Sequence, residues 1–319
     1  MVADCERLTW AGRVTKVAGM KRLGGLVLLV VALSVGVVQA QVRPAITGIA
    51  FVRMYSADMT ASEAFYGKTL GLKKVADAKS IARYGVNEAQ WVEVTALPTP
   101  APTPETRVAE VAFATRDVKG MRTYLKAHGV TIVEEQGKNG FAVHDPEGNL
   151  IGFVQRASIG KGISMSPVAS SRRVIHAGFA VRDAAAEDAF YRDLLGFQPY
   201  WHGGMAPDKT DWVSLQVPEG TDWLEYMLNM KPDASAKQRG VMNHFSLGVA
   251  QMSDAVTALA KNGCTGPNCS KTQMGRDGKV QLNLFDPDLT RVEFMEFKTS
   301  GTICCSEIKG RTPTEIEDK

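Results

Sequence analysis

Residues 174–197 read VIHAGFAVRDAAAEDAFYRDLLGF, and this stretch decides the fold because residues 49–72, IAFVRMYSADMTASEAFYGKTLGL, repeat its pattern. Both copies have a strand-like start, an Asp, and then FY and LG at matched positions. Such self-similarity indicates a tandem repeat of one structural unit. The copies differ at one chemically important position, since His176 in the later copy stands where the earlier copy has Phe51.

A strand followed by a helix occurs four times along the chain. The strands read GIAFVRMY, VAEVAFAT, VIHAGFAV and MNHFSLGV, with alternating apolar residues, and each following helical stretch ends at a Gly, which is a C-cap signal. Several short strands complete each unit. The pattern predicts an α+β protein of four βαβββ modules, two in each half.

Pro-rich and Ser-rich stretches indicate where the chain is divided. LPTPAPTPETR (97–107) is a linker inside the first half, because its X-Pro bonds disfavour both helix and sheet. ASIGKGISMSPVASS separates the two halves. We therefore predict a first domain at 45–156, a linker at 157–171, a second domain at 172–298 and a tail at 299–319.

The first 40 residues have the layout of a secretory signal peptide. Basic residues follow Met20, residues 26–38 (LVLLVVALSVGVV) are apolar but short for a membrane span, and small residues lead up to Ala40. We predict that Met20 is the true start and that the mature protein begins near Gln41. It would be secreted or periplasmic, without stable membrane insertion after cleavage. An uncleaved N-terminal anchor is the alternative.

Charge and cysteine usage limit the remaining possibilities. Of 37 basic and 34 acidic residues, five and two lie in residues 1–40, so the rest of the chain is neutral and does not indicate a nucleic-acid partner. Four cysteines outside the signal peptide permit disulfides in an exported protein. Cys264 and Cys269 enclose a turn and could pair with each other, but free thiols are the alternative. The other two are Cys304 and Cys305.

Paired βαβββ modules with FYxxxLG and a terminal DPxxxxxE resemble the vicinal oxygen chelate superfamily. It includes glyoxalase I, methylmalonyl-CoA epimerase, fosfomycin and bleomycin resistance proteins, and extradiol dioxygenases. The resemblance covers residues 45–155 and 173–297. It implies two tandem glyoxalase-like domains that act on a small-molecule substrate. In each domain two modules would curl into a cup, with metal ligands on the inner faces of their first and last strands.

Strand alternation places four ligand-type side chains on one face in the second half. His176 and His244 share a face with small residues, opposite apolar neighbours, and Glu225 and Glu293 lie on the last strands of the same two modules. Each Glu follows its His by 49 residues. We predict that His176, Glu225, His244 and Glu293 surround one divalent metal ion. Imidazole and carboxylate ligands suit Zn, Ni, Mn or Fe(II).

The first half has lost this pattern. Its corresponding residues are Phe51, Glu93, Glu110 and Gly152, so both His positions and the terminal Glu are replaced. We expect Phe51 to fill the first cup and Glu93 and Glu110 to be structural. The first half would then serve packing or substrate enclosure.

The full His-Glu-His-Glu set is most similar to glyoxalase I. That resemblance implies a lyase or isomerase acting through a metal-stabilised enediolate. Glu293 would be the catalytic base, with Glu225 as its symmetric alternative.

Two other functions stay open. An extradiol dioxygenase would use His176, His244 and Glu293 as a two-His, one-Glu iron site beside a non-catalytic first half. Against it, Glu225 stands where those enzymes have a catalytic His. A resistance-type binding protein would use an aromatic crevice without metal, built from Trp201, Trp212, Trp223 and Tyr226. The ligands could also be exchanged between two chains of a homodimer.

Overall fold

The structure is a computed structural model that describes residues 42–78, 80–100, 106–156 and 165–315. The predicted signal peptide and part of the predicted linker between the halves lie outside these residues, so both stay predictions. Within these four ranges, no helix has the length and apolarity that crossing a membrane requires.

Two eight-stranded sheets carry the fold. The strands of the first are β1 (Ile46–Ser56), β2 (Lys73–Ala78), β3 (Ile81–Gly85), β4 (Trp91–Ala96), β5 (Val108–Thr115), β6 (Glu134–Glu135), β7 (Gly140–His144) and β8 (Leu150–Gln155). Those of the second are β9 (Arg173–Ala180), β10 (Gln198–Gly203), β11 (Trp212–Gln216), β12 (Trp223–Met227), β13 (His244–Val249), β14 (Thr272–Met274), β15 (Val280–Phe285) and β16 (Arg291–Glu296).

Both sheets have the same strand order, which confirms the predicted repeat. The order is β2-β3-β4-β1-β5-β8-β7-β6 in the first sheet and β10-β11-β12-β9-β13-β16-β15-β14 in the second. In each sheet two modules meet at their opening strands, which pair antiparallel as β1 with β5 and β9 with β13. The last strand of each module pairs in parallel with its first. The first and last strands of both modules are therefore neighbours at the centre of each sheet.

Short helices complete the modules. They are α1 (Met59–Glu63), α2 (Val118–Ala127), α3 (Ala184–Asp188), α4 (Ala236–Met242) and α5 (Met252–Lys261), with 3₁₀ turns at Gly137–Asn139 and Pro267–Cys269. α1 and α3 continue as π-helical turns at Ala64–Thr69 and Ala189–Leu194, which carry the two FY pairs. Each of these helices begins at an Asp, Asp58 or Asp183, whose carboxylate accepts from free amides of the first turn. The helix α4, between the third and fourth modules, was not predicted.

The two domains are linked by reciprocal hydrogen bonds from the FY tyrosines. Tyr66 Oη donates to Asp286 Oδ2 at 2.8 Å, and Tyr191 Oη donates to Asp145 Oδ2 at 3.0 Å. Each tyrosine therefore contacts the DP turn of the other domain. The FY and DP motifs, read separately in the sequence, form one contact across the domains.

Most side chains lie on the predicted face of their sheet, but two side chains of the second sheet do not. Strand alternation alone predicts that Ile175, next to His176, lies on the core face of β9, but it packs with Trp223 and Phe297 on the site face. A register shift between Ser246 and Leu247 on the paired strand β13 accounts for this, because His176 pairs with Ser246 and Val174 with Leu247. Tyr226 was expected in an aromatic crevice but lies in the main core.

Candidate metal centre

The four predicted ligands come from the four central strands of the second sheet. Gly178 on β9 is paired with Glu225 on β12 and with His244 on β13. His176 lies two residues before Gly178 on β9, and Glu293 lies on β16, next to β13. Strand alternation and this register bring all four side chains to one face.

Three of the four residues form a tight cluster. His176 Nε2 lies 3.1 Å from His244 Nε2 and 3.2 Å from Glu293 Oε2. One ligand atom from each of the three lies within 4.8 Å of the others, and all three side chains are buried. Glu225 lies at the edge of this cluster, with Oε2 3.5 Å from His244 Nε2 and 4.0 Å from His176 Nε2.

The cluster fits a divalent metal ion. Metal–ligand bonds of about 2.0–2.2 Å place neighbouring donor atoms roughly 3.0–3.4 Å apart, and both distances from His176 Nε2 fall in this range. Two imidazoles and one carboxylate are also the donor set of non-haem Fe(II) sites with open positions. Zn, Ni and Mn accept the same donors.

Gly178 makes room for one of the imidazoles. A Cβ atom at Gly178 would overlap the His244 ring, so any other residue there would displace it. His244 Nδ1 donates to the backbone oxygen of Met242 at 3.3 Å, which leaves the lone pair on Nε2 facing the cluster. Trp223 packs beside His176, with ring centroids 4.8 Å apart.

Burial and neighbouring charges set the protonation states of the cluster. Burial, Arg291 and His176 together hold the pKa of His244 well below its usual value, so its ring is neutral. Burial disfavours the charged form of Glu293, but Arg291 and a hydrogen bond from His176 outweigh it and hold the pKa of Glu293 below its usual range. Burial raises the pKa of Glu225 against the opposing effect of His176. A neutral imidazole and an ionised carboxylate are the forms that bind metal.

Arg291 belongs to the site although it is not one of the four predicted ligands. Its Nη2 lies 2.6 Å from His244 Nε2, and its Nη1 lies 3.8 Å from Glu293 Oε1. The alternation that places Glu293 on the inner face also places Arg291 there, two residues earlier. Strand alternation therefore predicts the position of Arg291. A search for metal ligands does not find it, because a guanidinium does not bind metal ions.

A cavity of about 300 Å³ opens beside the cluster. Trp201, Trp212 and Trp223 form part of its wall, as predicted for an aromatic crevice. Glu225 and Glu293 also line it. A small molecule in this cavity would therefore lie against two of the predicted ligand residues.

The tail of the second domain packs over this region. Residues 299–315, here called the strap, contain no helix or strand. Trp201 Nε1 donates to the backbone oxygen of Cys304 at 3.1 Å, and Ile308 packs on the aromatic cluster and lines the cavity. The strap is therefore a wall of the cavity.

The disulfides resolve a question that the sequence left open. Cys264 is bonded to Cys269, as the enclosed turn suggested, and Cys304 is bonded to Cys305 within the strap. All four cysteines beyond the predicted signal peptide are therefore paired.

The first cup holds an ion-pair cluster instead of metal ligands. Arg53 takes the place that Gly178 has in the second sheet, and it is paired across strands with Glu93 and Glu110. Arg53 Nε lies 2.5 Å from Glu93 Oε1, and Nη1 lies 2.5 Å from Glu110 Oε2. Phe51 is buried as expected, but Arg53 rather than Phe51 fills the space between the two carboxylates.

Tandem βαβββ domains with clustered imidazole and carboxylate groups are the architecture of vicinal oxygen chelate proteins. The chain belongs to the Glyoxalase/Bleomycin resistance protein/Dioxygenase superfamily, whose family model matches residues 48–153 and 173–294. A comparison with curated protein sequences gives no match.

Solved extradiol dioxygenases have a similar structure. A variant of homoprotocatechuate 2,3-dioxygenase from B. fuscum is 17% identical with a TM-score of 0.62, over 80% of this chain and 72% of that chain. The 2,3-dioxygenase LapB from Pseudomonas sp. KL28 is 16% identical with a TM-score of 0.61, over 82% of this chain and 94% of that chain. At these identities the likeness establishes the fold.

Proposed function

We propose that the second domain contains a mononuclear iron centre and that the protein is an extradiol-type dioxygenase. Its substrate would be a small aromatic molecule with two adjacent oxygen atoms. The observation that carries the proposal is the buried cluster of His176, His244 and Glu293, whose ligand atoms lie within 4.8 Å of one another. The likeness to extradiol dioxygenases supports this function over the glyoxalase I-like one.

The cavity supports a substrate with a single ring. Its volume of about 300 Å³ lies at the lower end of small-molecule sites, which span roughly 300–1,000 Å³. Trp201, Trp212 and Trp223 offer faces for an aromatic ring. A similar solved structure, of the Brevibacterium fuscum homoprotocatechuate 2,3-dioxygenase, contains 3,4-dihydroxyphenylacetate and has a TM-score of 0.61 at 17% identity, over 80% of this chain and 82% of that chain.

Different residues of the site would have different roles in the reaction. His176, His244 and Glu293 would hold the ion, which supplies Lewis acidity towards the substrate oxygens and redox capacity towards O₂. Glu225, on the cavity wall beside both imidazoles, would accept a proton from a substrate hydroxyl. The three tryptophans would orient the ring, and the strap would limit access of water to the cavity.

One observation favours a second function, a metal-dependent lyase or isomerase. Glu225 Oε2 lies 3.5 Å from His244 Nε2, close enough to be a fourth ligand after a small side-chain movement. Glu293 or Glu225 would then take a proton next to a substrate carbonyl and return it to the neighbouring carbon. This chemistry consumes no oxygen.

Oxygen uptake distinguishes the two functions. The purified protein would be loaded with Fe(II) under anaerobic conditions and mixed with a panel of catechols, including 3,4-dihydroxyphenylacetate, in an oxygen-electrode cell. We expect one O₂ consumed for each catechol lost, and no uptake by the His176→Ala variant. Bound iron without oxygen uptake, together with exchange of substrate carbon-bound hydrogen with solvent, would favour the isomerase. Absence of metal binding would leave a binding protein.

We also propose that the protein works outside the cytoplasm. The support is the predicted signal peptide in residues 1–40 and the two disulfides, which are typical of oxidising compartments. Fractionation of cells that express the full chain would test this. Protein found in the cytoplasm with an intact N-terminus would contradict the proposal.

A further inference from the structure

We propose that Arg291 and the divalent metal ion compete for His244, so that the ion must displace the Arg291 guanidinium when it binds. This inference rests on the proposed metal site. It assigns to Arg291 a role that no ligand pattern suggests, namely an exchangeable internal cation of the second cup.

The argument begins with the lone pair of His244. Nδ1 of its neutral ring donates to the oxygen of Met242, so Nε2 is the acceptor nitrogen. Arg291 Nη2 lies 2.6 Å from this Nε2 and can only donate to it. One imidazole lone pair cannot both accept this hydrogen bond and bind a metal ion. The two cations are therefore mutually exclusive at His244.

The guanidinium of Arg291 has fewer close carboxylate contacts than that of Arg53. Its hydrogen bond goes to a neutral nitrogen, and its distance to Glu293 is long, with 3.8 Å between Nη1 and Oε1. The Nε atom is buried and has no hydrogen-bond partner among the residues that the structure describes. Arg291 also lines the cavity of about 300 Å³, which offers the guanidinium a place to move to.

The first cup contains a guanidinium that is bound by carboxylates, which allows a comparison with Arg291. Arg53 is held by two carboxylates, Glu93 and Glu110, at 2.5 Å each. The contact with Glu93 is a hydrogen bond between two charged groups, whereas the hydrogen bond from Arg291 to His244 has only one charged partner. The second cup has Gly178 in place of Arg53, and its arginine comes instead from β16 with a neutral acceptor. An arginine thus occupies each cup, tightly in the first and exchangeably in the second.

Metal titration tests the proposal without any activity measurement. The probe is Mn(II), added to the purified protein and followed by calorimetry. Arg291→Gln and Arg291→Met should bind Mn(II) on the order of ten-fold more tightly than the wild type, since a charged hydrogen bond no longer has to be broken. Melting temperatures of both variants would establish that they are folded.

Arg276 provides the matched control. It lines the same cavity, but its guanidinium donates to the oxygen of Gly204 and to Cys304 Sγ rather than to a ligand residue. Arg276→Gln removes the same charge and should change Mn(II) affinity by less than about two-fold. Equal tightening in Arg276→Gln and Arg291→Gln would indicate general charge repulsion and overturn the proposal.

The remaining outcomes separate this inference from the proposed function. Unchanged or weaker Mn(II) binding by both Arg291 variants, with clear binding by the wild type, would overturn the competition and leave the metal site intact. Absence of binding in the wild type and in all variants would overturn both. Binding by the Arg291 variants alone would give the strongest support for the competition.

Discussion

Arg53 and Gly178 occupy the same position in their sheets, and each is paired with one ligand-position residue on each of its two neighbouring strands. In the first sheet a guanidinium therefore lies between two carboxylates. In the second, the absence of a side chain gives space to the His244 ring. This exchange, together with the loss of both His positions and the terminal Glu from the first half, separates an ion-pair cluster that stabilises the fold from a site that can hold a metal ion.

Replacing Arg53 should destabilise the protein strongly. Arg53→Met would leave Glu93 and Glu110 buried without their shared cation. Removing one partner of a buried ion pair costs about 3–5 kcal/mol, and the free energy of unfolding in urea should fall by this order.

Arg83 is the control for Arg53, because it also pairs with Glu93 at 2.5 Å but its side chain is 47% exposed, against 18% for Arg53. Exposed ion pairs contribute about 0–1 kcal/mol. Arg83→Met should therefore change the free energy of unfolding only slightly. Equal effects of the two variants would contradict the structural role assigned to Arg53.

Adding a side chain at Gly178 should weaken metal binding. A methyl group at Gly178→Ala overlaps the His244 ring and displaces its Nε2 from the cluster. Loss of ligand orientation typically lowers metal affinity roughly 10–100-fold, which a Mn(II) titration would measure. Gly67→Ala is the control, since its Cβ would meet its nearest neighbour at 3.4 Å, an ordinary contact. Unchanged affinity in Gly178→Ala would argue against His244 as a ligand.

The sequence predicted the faces of single strands better than the contacts between strands. Strand alternation alone predicted that His176 and His244 lie on one face of the sheet. The spacing of 49 residues after each His predicted that Glu225 and Glu293 lie on the same face. The roles of Arg53 and Arg291 and the shift of Ile175 depend on strand register and side-chain direction. Those follow from pairing between segments distant in the chain, which periodicity does not report.

The contact between the FY and DP motifs illustrates the same limit. The sequence shows both motifs, but their pairing across the two domains depends on how the sheets pack. The disulfide within the strap could likewise not be predicted from the sequence, because cysteine spacing does not determine which cysteines pair.

The pH dependence of stability should report on the two DP-turn aspartates. Burial raises the pKa of Asp145 to about 6 and that of Asp286 to about 6. The folded state then binds these protons more tightly than the unfolded chain, whose aspartates have a pKa near 3.9. The contribution of each group to stability is fully present below pH ~4 and is lost as the pH rises through about 6, at a cost on the order of 3 kcal/mol for each group.

The double variant Asp145→Asn/Asp286→Asn removes both carboxyl groups, and it also removes the Asp145 charge that raises the pKa of Glu187. Its melting temperature, measured from pH 4 to pH 7, should fall less with rising pH than that of the wild type. Identical pH profiles for the two proteins would mean that these aspartates ionise normally in the folded state.

Glu225 should affect turnover more than metal binding if the protein is a dioxygenase. Glu225→Gln keeps the size of the side chain but removes its capacity as a proton acceptor, so turnover should fall roughly 10²–10⁴-fold with little change in iron affinity. Glu293→Gln, in contrast, should lose the metal. A large loss of iron affinity in Glu225→Gln would instead indicate a four-residue ligand set and favour the isomerase.

The strap should contribute to both stability and the shape of the cavity through Ile308. This side chain packs on the cluster that contains Trp201 and Trp223 and also lines the cavity. Ile308→Ala removes part of this contact. Because the side chain is only partly buried, we expect the free energy of unfolding in urea to fall by about 1–2 kcal/mol, which is less than the usual cost at core positions. Ile303, in the same strap but 40% exposed, is the control, and Ile303→Ala should stay within about 0.5 kcal/mol of the wild type. If Ile308→Ala is as stable as Ile303→Ala, the strap does not pack on the cavity in solution.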